Sequence, residues 1–293
     1  MPAAPDASPA VRPVVVAEVV RSGFVEGHHY GSWVVLDADG SILASAGDVT
    51  GPMLPRSCNK PIQALGMLEE GLDLDGELLA LTCASHSGEA FHIDGVRRIL
   101  DSAGLSEADL QTPPDHPLDD KAREAALRAG VEKSPLLMNC SGKHAAMLAT
   151  CRAQGWPIDT YREPAHPLQQ AILRTFERMT GEPVAHTAVD GCGAPLLSTS
   201  LTGLARAFSR LAQATPDSSP KGFEHRVATA IREHPEYVSG TTRDELALLR
   251  AIPGAIGKAG AESCYAVALP DGRAIATKTD DGAARARPVV MAA

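Results

Sequence analysis

Hydrophobic positions change their period twice along the chain. β-Branched residues crowd positions 14–20, and two short apolar runs at 33–36 and 42–44 flank the turn pair Asp39-Gly40, which predicts antiparallel strands near the N-terminus. The spacing then becomes helical. Ile62, Leu65 and Leu68 form an apolar stripe behind Pro61, a residue tolerated in the first turn of a helix. The run Leu78 to Leu81 reads as a buried strand opening into a turn and a helix that carries Ile93, Val96 and Leu100. Leu168, Ile172, Leu173, Phe176 and Met179 recur every three or four residues after Pro167 and stop at Gly181. Leu197, Leu201, Leu204, Ala205, Phe208 and Leu211 make a second amphipathic face, and Thr242 with Glu245 reads as a capping box for a helix with Leu246 and Leu249. Period two returns at 265–269 and 273–277 around Asp271-Gly272, a second hairpin. Strands at both ends enclosing a helical middle predict an α+β fold in which the termini share one antiparallel sheet.

Composition narrows the class. The 293 residues suffice for a single unit over 14–293 with a helical subdomain, preceded by an Ala/Pro-rich segment, 1–13, that reads as a disordered tail. A net charge of −9 supplies no basic footprint for nucleic acid or an anionic membrane surface. The start of the chain has neither a basic beginning nor an apolar signal core, so the expected compartment is the cytoplasm. Six cysteines without the spacing of a disulfide framework are expected to be thiols or metal ligands. The expected surface loops are 111–118, with three prolines, and 214–221.

Arginines outnumber lysines 20 to 7, so each lysine carries information. Lys60, Lys143, Lys258 and Lys278 sit among Gly, Ala, Cys or Thr, surroundings in which an amine can lose its proton as a guanidinium cannot. Ser57 and Lys60 form an SxxK pair, one helical turn apart, in which a neutral amine could activate the hydroxyl for acyl transfer. A plain N-cap serine with an exposed lysine would look the same. The spacing also recurs at Ser218 and Lys221, between prolines that disfavour a helix.

Ser85, His86, Ser87 and Glu89 form a second cluster, readable as reactive groups or as helix caps. Cys140 and His144 lie one helical turn apart, and Cys192 sits between glycines. Two thiolates suit zinc, with His144 or a neutral lysine amine as third ligand, although buried inert cysteines are the commoner reading of such spacing. Residues 254–259 lack the spacing of a phosphate-binding loop. Lys278-Thr279-Asp280 has Asp where the KTG strand of β-lactamases needs Gly, and no SDN triplet is present.

The ordered set RSxxKP at 56–61, CASHSGE at 83–89, NCSGKHAAML at 139–148, DGCGAP at 190–195, GKAGAE at 257–262 and KTDDGAxRARP at 278–288 closely resembles the rhizobial-type, class 3 L-asparaginases, the asparaginase II family. The opening EVVRSGxVEGxHxGSxVVLDADG at 18–40 is similar to that family's first strands. The resemblance implies hydrolysis of L-asparagine to L-aspartate and ammonia on a fold similar to serine β-lactamases and glutaminases. It implies Ser57 with Lys60 and Ser85 with Lys258 as two Ser-Lys pairs, Lys278 being the alternative partner for Ser85. Cys140, Lys143 and Cys192 would bind Zn2+, with Lys143 rather than His144 as third ligand. Arg56 and Asp190 would stand beside the substrate, and the protein would be a homodimer. The segment 240–245 departs from the family's usual sequence. Rival readings are a glutaminase, a penicillin-recognising hydrolase, and a non-catalytic protein that binds zinc or an amino acid.

Overall fold

The computed structural model describes residues 13–293; the tail expected at 1–13 lies outside them except for Pro13. The first strands are β1 (Val14–Arg21), β2 (Phe24–Leu36) and β3 (Ile42–Ala46), followed by a 3-10 turn at Arg56–Asn59 that runs into α1 (Lys60–Glu69). Then come α2 (Gly76–Thr82), α3 (Ala90–Ser102), α4 (Asp120–Arg128), α5 (Ser141–Gln154) and α6 (Pro167–Thr180). A small hairpin, β4 (Thr187–Val189) and β5 (Pro195–Leu197), precedes α7 (Leu201–Gln213), α8 (Phe223–Glu233), α9 (Pro235–Val238) and α10 (Asp244–Ala251). The chain closes with β6 (Ile256–Ala259), β7 (Cys264–Ala268), β8 (Ala274–Thr279) and α11 (Ala286–Ala292).

The α+β fold expected from the two hairpins is present. Strands run in the order β1-β2-β8-β7-β6, all antiparallel, with β3 sharing one edge of the long β2 with β1. β2 and β8 join the two chain ends through pairs such as Val34 with Ala276. Alternation on β2 sends Val34 and Leu36 into the main core on the side where α7 packs, while Trp33 and Val35 face the side of α11. A smaller core of Ala259, Tyr265, Val267 and Met291 fills that second side.

The helical half is built around α1 and α5, both buried on nearly every face rather than along a stripe. α1 packs on α5, α6 and α8. Pro61 falls in its first turn, as expected. Gly142 permits α5 to touch α2, since a Cβ there would lie 2.7 Å from the Leu81 carbonyl oxygen.

Three local expectations are corrected. Residues 78–81 are part of helix α2, not a strand: four consecutive apolar residues have no period, and this short helix is buried on several sides. Leu197 belongs to β5 rather than to the following helix, which Ser200 caps by accepting the Gly203 amide. Glu245 forms no capping box, because its carboxylate turns away to β6 and the Thr242 hydroxyl donates to Asp119. Among the described residues no helix is long and apolar enough to cross a membrane.

Candidate active site

The turn before α1 places Ser57 at a backbone kink. Arg56 has φ 51°, a left-handed conformation that costs a non-glycine L-residue on the order of 1 kcal/mol, and its Nε donates to Asp190 Oδ1 at 2.9 Å. Across from this kink runs the end of β6. A Cβ on Gly260 would come within 2.8 Å of the Pro55 carbonyl and 3.2 Å of the Ser57 amide, so only glycine lets the two segments lie flush. The resulting cavity, about 210 Å³, is lined by Ser57, Ser85, Asn139, Arg243, Ala261 and Glu262, among others.

Lys60 lies one turn behind Ser57 and is wholly buried. Its Nζ donates to the Ala84 carbonyl at 2.5 Å and lies within hydrogen-bond distance of Ser85 Oγ at 2.9 Å and Cys140 Sγ at 3.1 Å. The Ser85 cluster is thus not a set of caps. Glu89 occupies the N-cap of α3 without a side-chain capping bond, Ser87 donates to the Ser239 carbonyl, and His86 Nε2 meets Ser141 Oγ at 2.8 Å. Burial, followed by the charges of His92 and Lys60, pushes the His86 imidazole well below its usual range, so it is neutral.

Lys258, also wholly buried, is bonded to Glu245 Oε1 at 2.6 Å and to the Ala259 carbonyl at 2.7 Å, and among the described residues it makes no hydrogen bond to Ser85. Lys278 Nζ reaches the Glu262 carbonyl at 2.9 Å instead. Lysine 60 is therefore the amine hydrogen-bonded to Ser85. Burial works against the Glu245 carboxylate, yet Lys258 and Arg243 hold its pKa below the usual range; burial lowers that of Lys258, with Glu245 opposing. The duplicate motif lies elsewhere: Ser218 bonds Thr215, and Lys221 stacks over Phe223.

Behind Lys60, the first turn of α5 meets the β4–β5 loop. Lys143 Nζ stands 3.2 Å from Cys192 Sγ, while Cys140, Cys192 and His144 adjoin one another. The neighbouring Cys140, outweighing burial and helped by Lys143, holds Cys192 far below the usual thiol range. The same interaction, with burial, pushes Cys140 up, and the Cys140 thiol donates to Asn139 Oδ1 at 3.1 Å. Burial disfavours the Lys143 ammonium, but Cys192, Cys140 and Asp190 outweigh it and raise the pKa of the amine. Among the described residues no three His, Cys, Asp or Glu side chains form a metal cage, so a site here needs the lysine. Two sulfurs and an amine that converge in a buried spot fit a thiolate-seeking divalent cation. His144 donates or accepts through Nδ1 with Tyr161 at 2.6 Å, and its Nε2 is buried without a partner.

Sequence reasoning picked out Ser57, Lys60, Ser85, Lys258, Arg56, Asp190, Cys140, Lys143 and Cys192. The fold places Ser57 and Ser85 on one cavity wall with Lys60 buried behind it on Ser85, and among the described residues neither Lys60 nor Lys258, which bonds Glu245, makes a hydrogen bond to Ser57; Cys140, Lys143 and Cys192 lie further back, whereas Arg56 and Asp190 bond each other. It missed Asn139, Arg243, Glu245 and Gly260. The run Arg243-Asp244-Glu245 carries the only visible signal, a dense charge cluster just before an apolar helix.

No curated protein matches the chain. Among solved structures it is similar to a β-lactamase from Mycobacterium bovis, 16% identical, covering 89% of this chain and 92% of that one with a TM-score of 0.46. It is also similar to a probable glutaminase from Bacillus subtilis, 11% identical over 89% of this chain and 86% of that one, TM-score 0.41. A third, Mglu in its native form, is 13% identical with a TM-score of 0.47; the match covers 88% of this chain and 61% of that longer one. The L-asparaginase II family matches residues 17–293, almost the whole length, and the chain belongs to that family.

Proposed function

We propose that residues 14–293 form a single catalytic unit that hydrolyses L-asparagine to L-aspartate and ammonia by acyl transfer through Ser57. The observation that carries this reading is the meeting of two hydroxyls and a buried amine: Ser57 and Ser85 line one cavity, and Lys60 Nζ stands 2.9 Å from Ser85 Oγ. Membership of the L-asparaginase II family gives the carboxamide as the class of bond attacked.

In this mechanism Ser57 Oγ attacks the side-chain carboxamide carbon while Lys60, in its neutral form, takes the hydroxyl proton. The amides of Ser57 and Ala261 are among the cavity-lining amides that donate to no protein acceptor among the described residues, as are those of Asn139, Glu262 and Ser263, and the Ser57 and Ala261 pair is proposed to hold the tetrahedral oxyanion. Ser85, hydrogen-bonded to the Lys60 amine, passes the proton on to the nitrogen as the C–N bond breaks. Ammonia leaves an aspartyl ester on Ser57. Water then attacks that ester, giving one proton to Lys60, and the proton returns to Ser57 Oγ as aspartate departs.

Cys140, Lys143 and Cys192 are proposed to hold zinc. When bound, it supplies a fixed positive charge that keeps both sulfurs as thiolates. A homodimer is proposed on the strength of the exposed apolar side chains of β1, β2 and β3, and the cytoplasm as compartment because site thiols suit a reducing one.

Ammonia release from L-asparagine, L-glutamine and a chromogenic β-lactam, measured side by side, tests the reading. Asparagine should be the best substrate. Ser57→Ala should lose about 10³-fold or more in turnover and accumulate no acyl-enzyme. Ser85→Ala should slow turnover while still forming an ester on Ser57 detectable by mass. Full turnover in Ser57→Ala would sink the mechanism, and tight asparagine binding without turnover in the natural chain would favour a binding protein.

A further inference from the structure

We propose that Arg243 is the residue that recognises the α-carboxylate of the amino-acid substrate, an assignment that rests on the amidohydrolase reading of this cavity. An amino-acid site needs a cation with donors to spare, and the cavity offers two guanidinium groups at its wall, Arg243 and Arg287. Arg287 is already matched: its Nε and Nη2 donate to the two oxygens of Asp244 at 3.2 and 2.5 Å. Arg243 is not. Its contact is an ion pair of 3.3 Å with Glu245 Oε2, and among the described residues its guanidinium makes no hydrogen bond.

Charge counting points the same way. Glu245 is one carboxylate facing two cations, Lys258 at 2.6 Å and Arg243 at 3.3 Å, which leaves one positive charge in surplus. Lys258 has no exposed surface and uses Nζ on Glu245 and the Ala259 carbonyl, so the surplus is presented by Arg243, whose side chain is 21% exposed. Arg56 cannot supply it from its observed place. It does not line the cavity, and Asp190 and Glu262 hold its guanidinium at 2.9 and 3.6 Å.

The backbone that carries Arg243 is held in position. The Thr241 amide and hydroxyl both donate to Glu89, at 2.8 and 2.7 Å, and the Thr242 hydroxyl donates to Asp119 at 2.6 Å. A Cβ on Gly240 would collide with Ser87, so the loop is seated directly on the segment that bears Ser85. A planar guanidinium fixed in this way can take a carboxylate through two parallel hydrogen bonds. Glu262, on the same cavity, is only loosely paired with Arg56 at 3.6 Å and 59% exposed, and it brings the opposite charge that an α-ammonium needs.

The test compares L-asparagine with 3-aminopropanamide, which keeps the carboxamide and amine and lacks the α-carboxylate. In the full chain, Arg243→Met should lose about 10- to 100-fold in kcat/KM on asparagine, mostly through KM, and little on 3-aminopropanamide. Arg243→Lys should fall between. Equal losses on both amides would overturn the assignment, as would a selective loss in Arg56→Met with none in Arg243→Met. Calorimetry with L-aspartate and 3-aminopropanoate gives a readout free of turnover. The natural chain should prefer L-aspartate and Arg243→Met should lose that preference; a preference that survives the substitution also overturns it. If neither amide is hydrolysed while the L-aspartate preference still depends on Arg243, the catalytic reading fails and the anchor stands. Urea midpoints of each variant separate lost recognition from lost folding.

Discussion

Glu245 bonds Lys258 and the Ala259 amide through one oxygen and pairs with Arg243 through the other, with a side chain only 1% exposed. Removing one member of such a buried pair strands the other's charge. Glu245→Ala should therefore cost about 3–5 kcal/mol, seen as a lower urea midpoint, and Lys258→Met a comparable amount. The double variant Glu245→Leu/Lys258→Met should be less destabilised than the sum, because the fully buried lysine charge is removed with its partner and the charge that remains, on Arg243, is partly exposed. Additive losses would mean that the pair is not an energetic unit. The same residue shows where residue-scale reading of the sequence stops. Thr242 and Glu245 have capping-box spacing, but the lysine at 258 outbids a backbone amide for the carboxylate, and that lysine is brought near only by the sheet.

At the scale of elements, Cys140, Lys143 and Cys192 bring together the first turn of α5 and the β4–β5 loop. A metal there would cross-link two segments about fifty residues apart, so its loss should be a loss of stability as well as of activity. Purified protein should contain about one zinc per chain, and prolonged chelation should lower the thermal midpoint in the natural chain but not in Cys192→Ala. Metal-free protein of unchanged midpoint would argue for inert thiols. The periodic helices α3 and α6 were legible because each buries one stripe, and α7 because its large apolar residues keep helical spacing although most of its positions are buried. α1 and α5 were legible only through motif residues, since a helix buried all round has no stripe, and α2 was misread for the same reason. Ser57 and Lys60 could be paired by local spacing. The bond from Lys60 to Ser85 could not, because it joins separate segments and depends on how α1 packs beside the α2–α3 connection.

For the whole molecule, the outer strands carry a disproportionate share of the exposed large apolar side chains. Phe24 is 71% exposed, and Val20, Tyr30, Ile42 and Leu43 are also open. A patch of this kind is usually covered by a partner. Sedimentation of the natural chain should give a dimer and Phe24→Glu should shift it towards monomer; a natural chain that sediments as a monomer would refute the pairing. The α+β class and the hairpins at both ends were readable from period and turn residues, but the joining of β2 to β8 was an inference from architecture that local sequence cannot encode. That junction has a consequence for how the protein is made. β2 leaves the ribosome more than two hundred residues before its neighbour β8, a wait of roughly 10–50 s at ordinary rates of synthesis, with one edge unpaired throughout. Ser57 is made about two hundred residues before the wall that faces it, from Ala259 to Arg287. A nascent chain is thus without its reactive cavity until that wall has been made, and its vulnerable interval is the one in which a chaperone would have to guard the edge of β2.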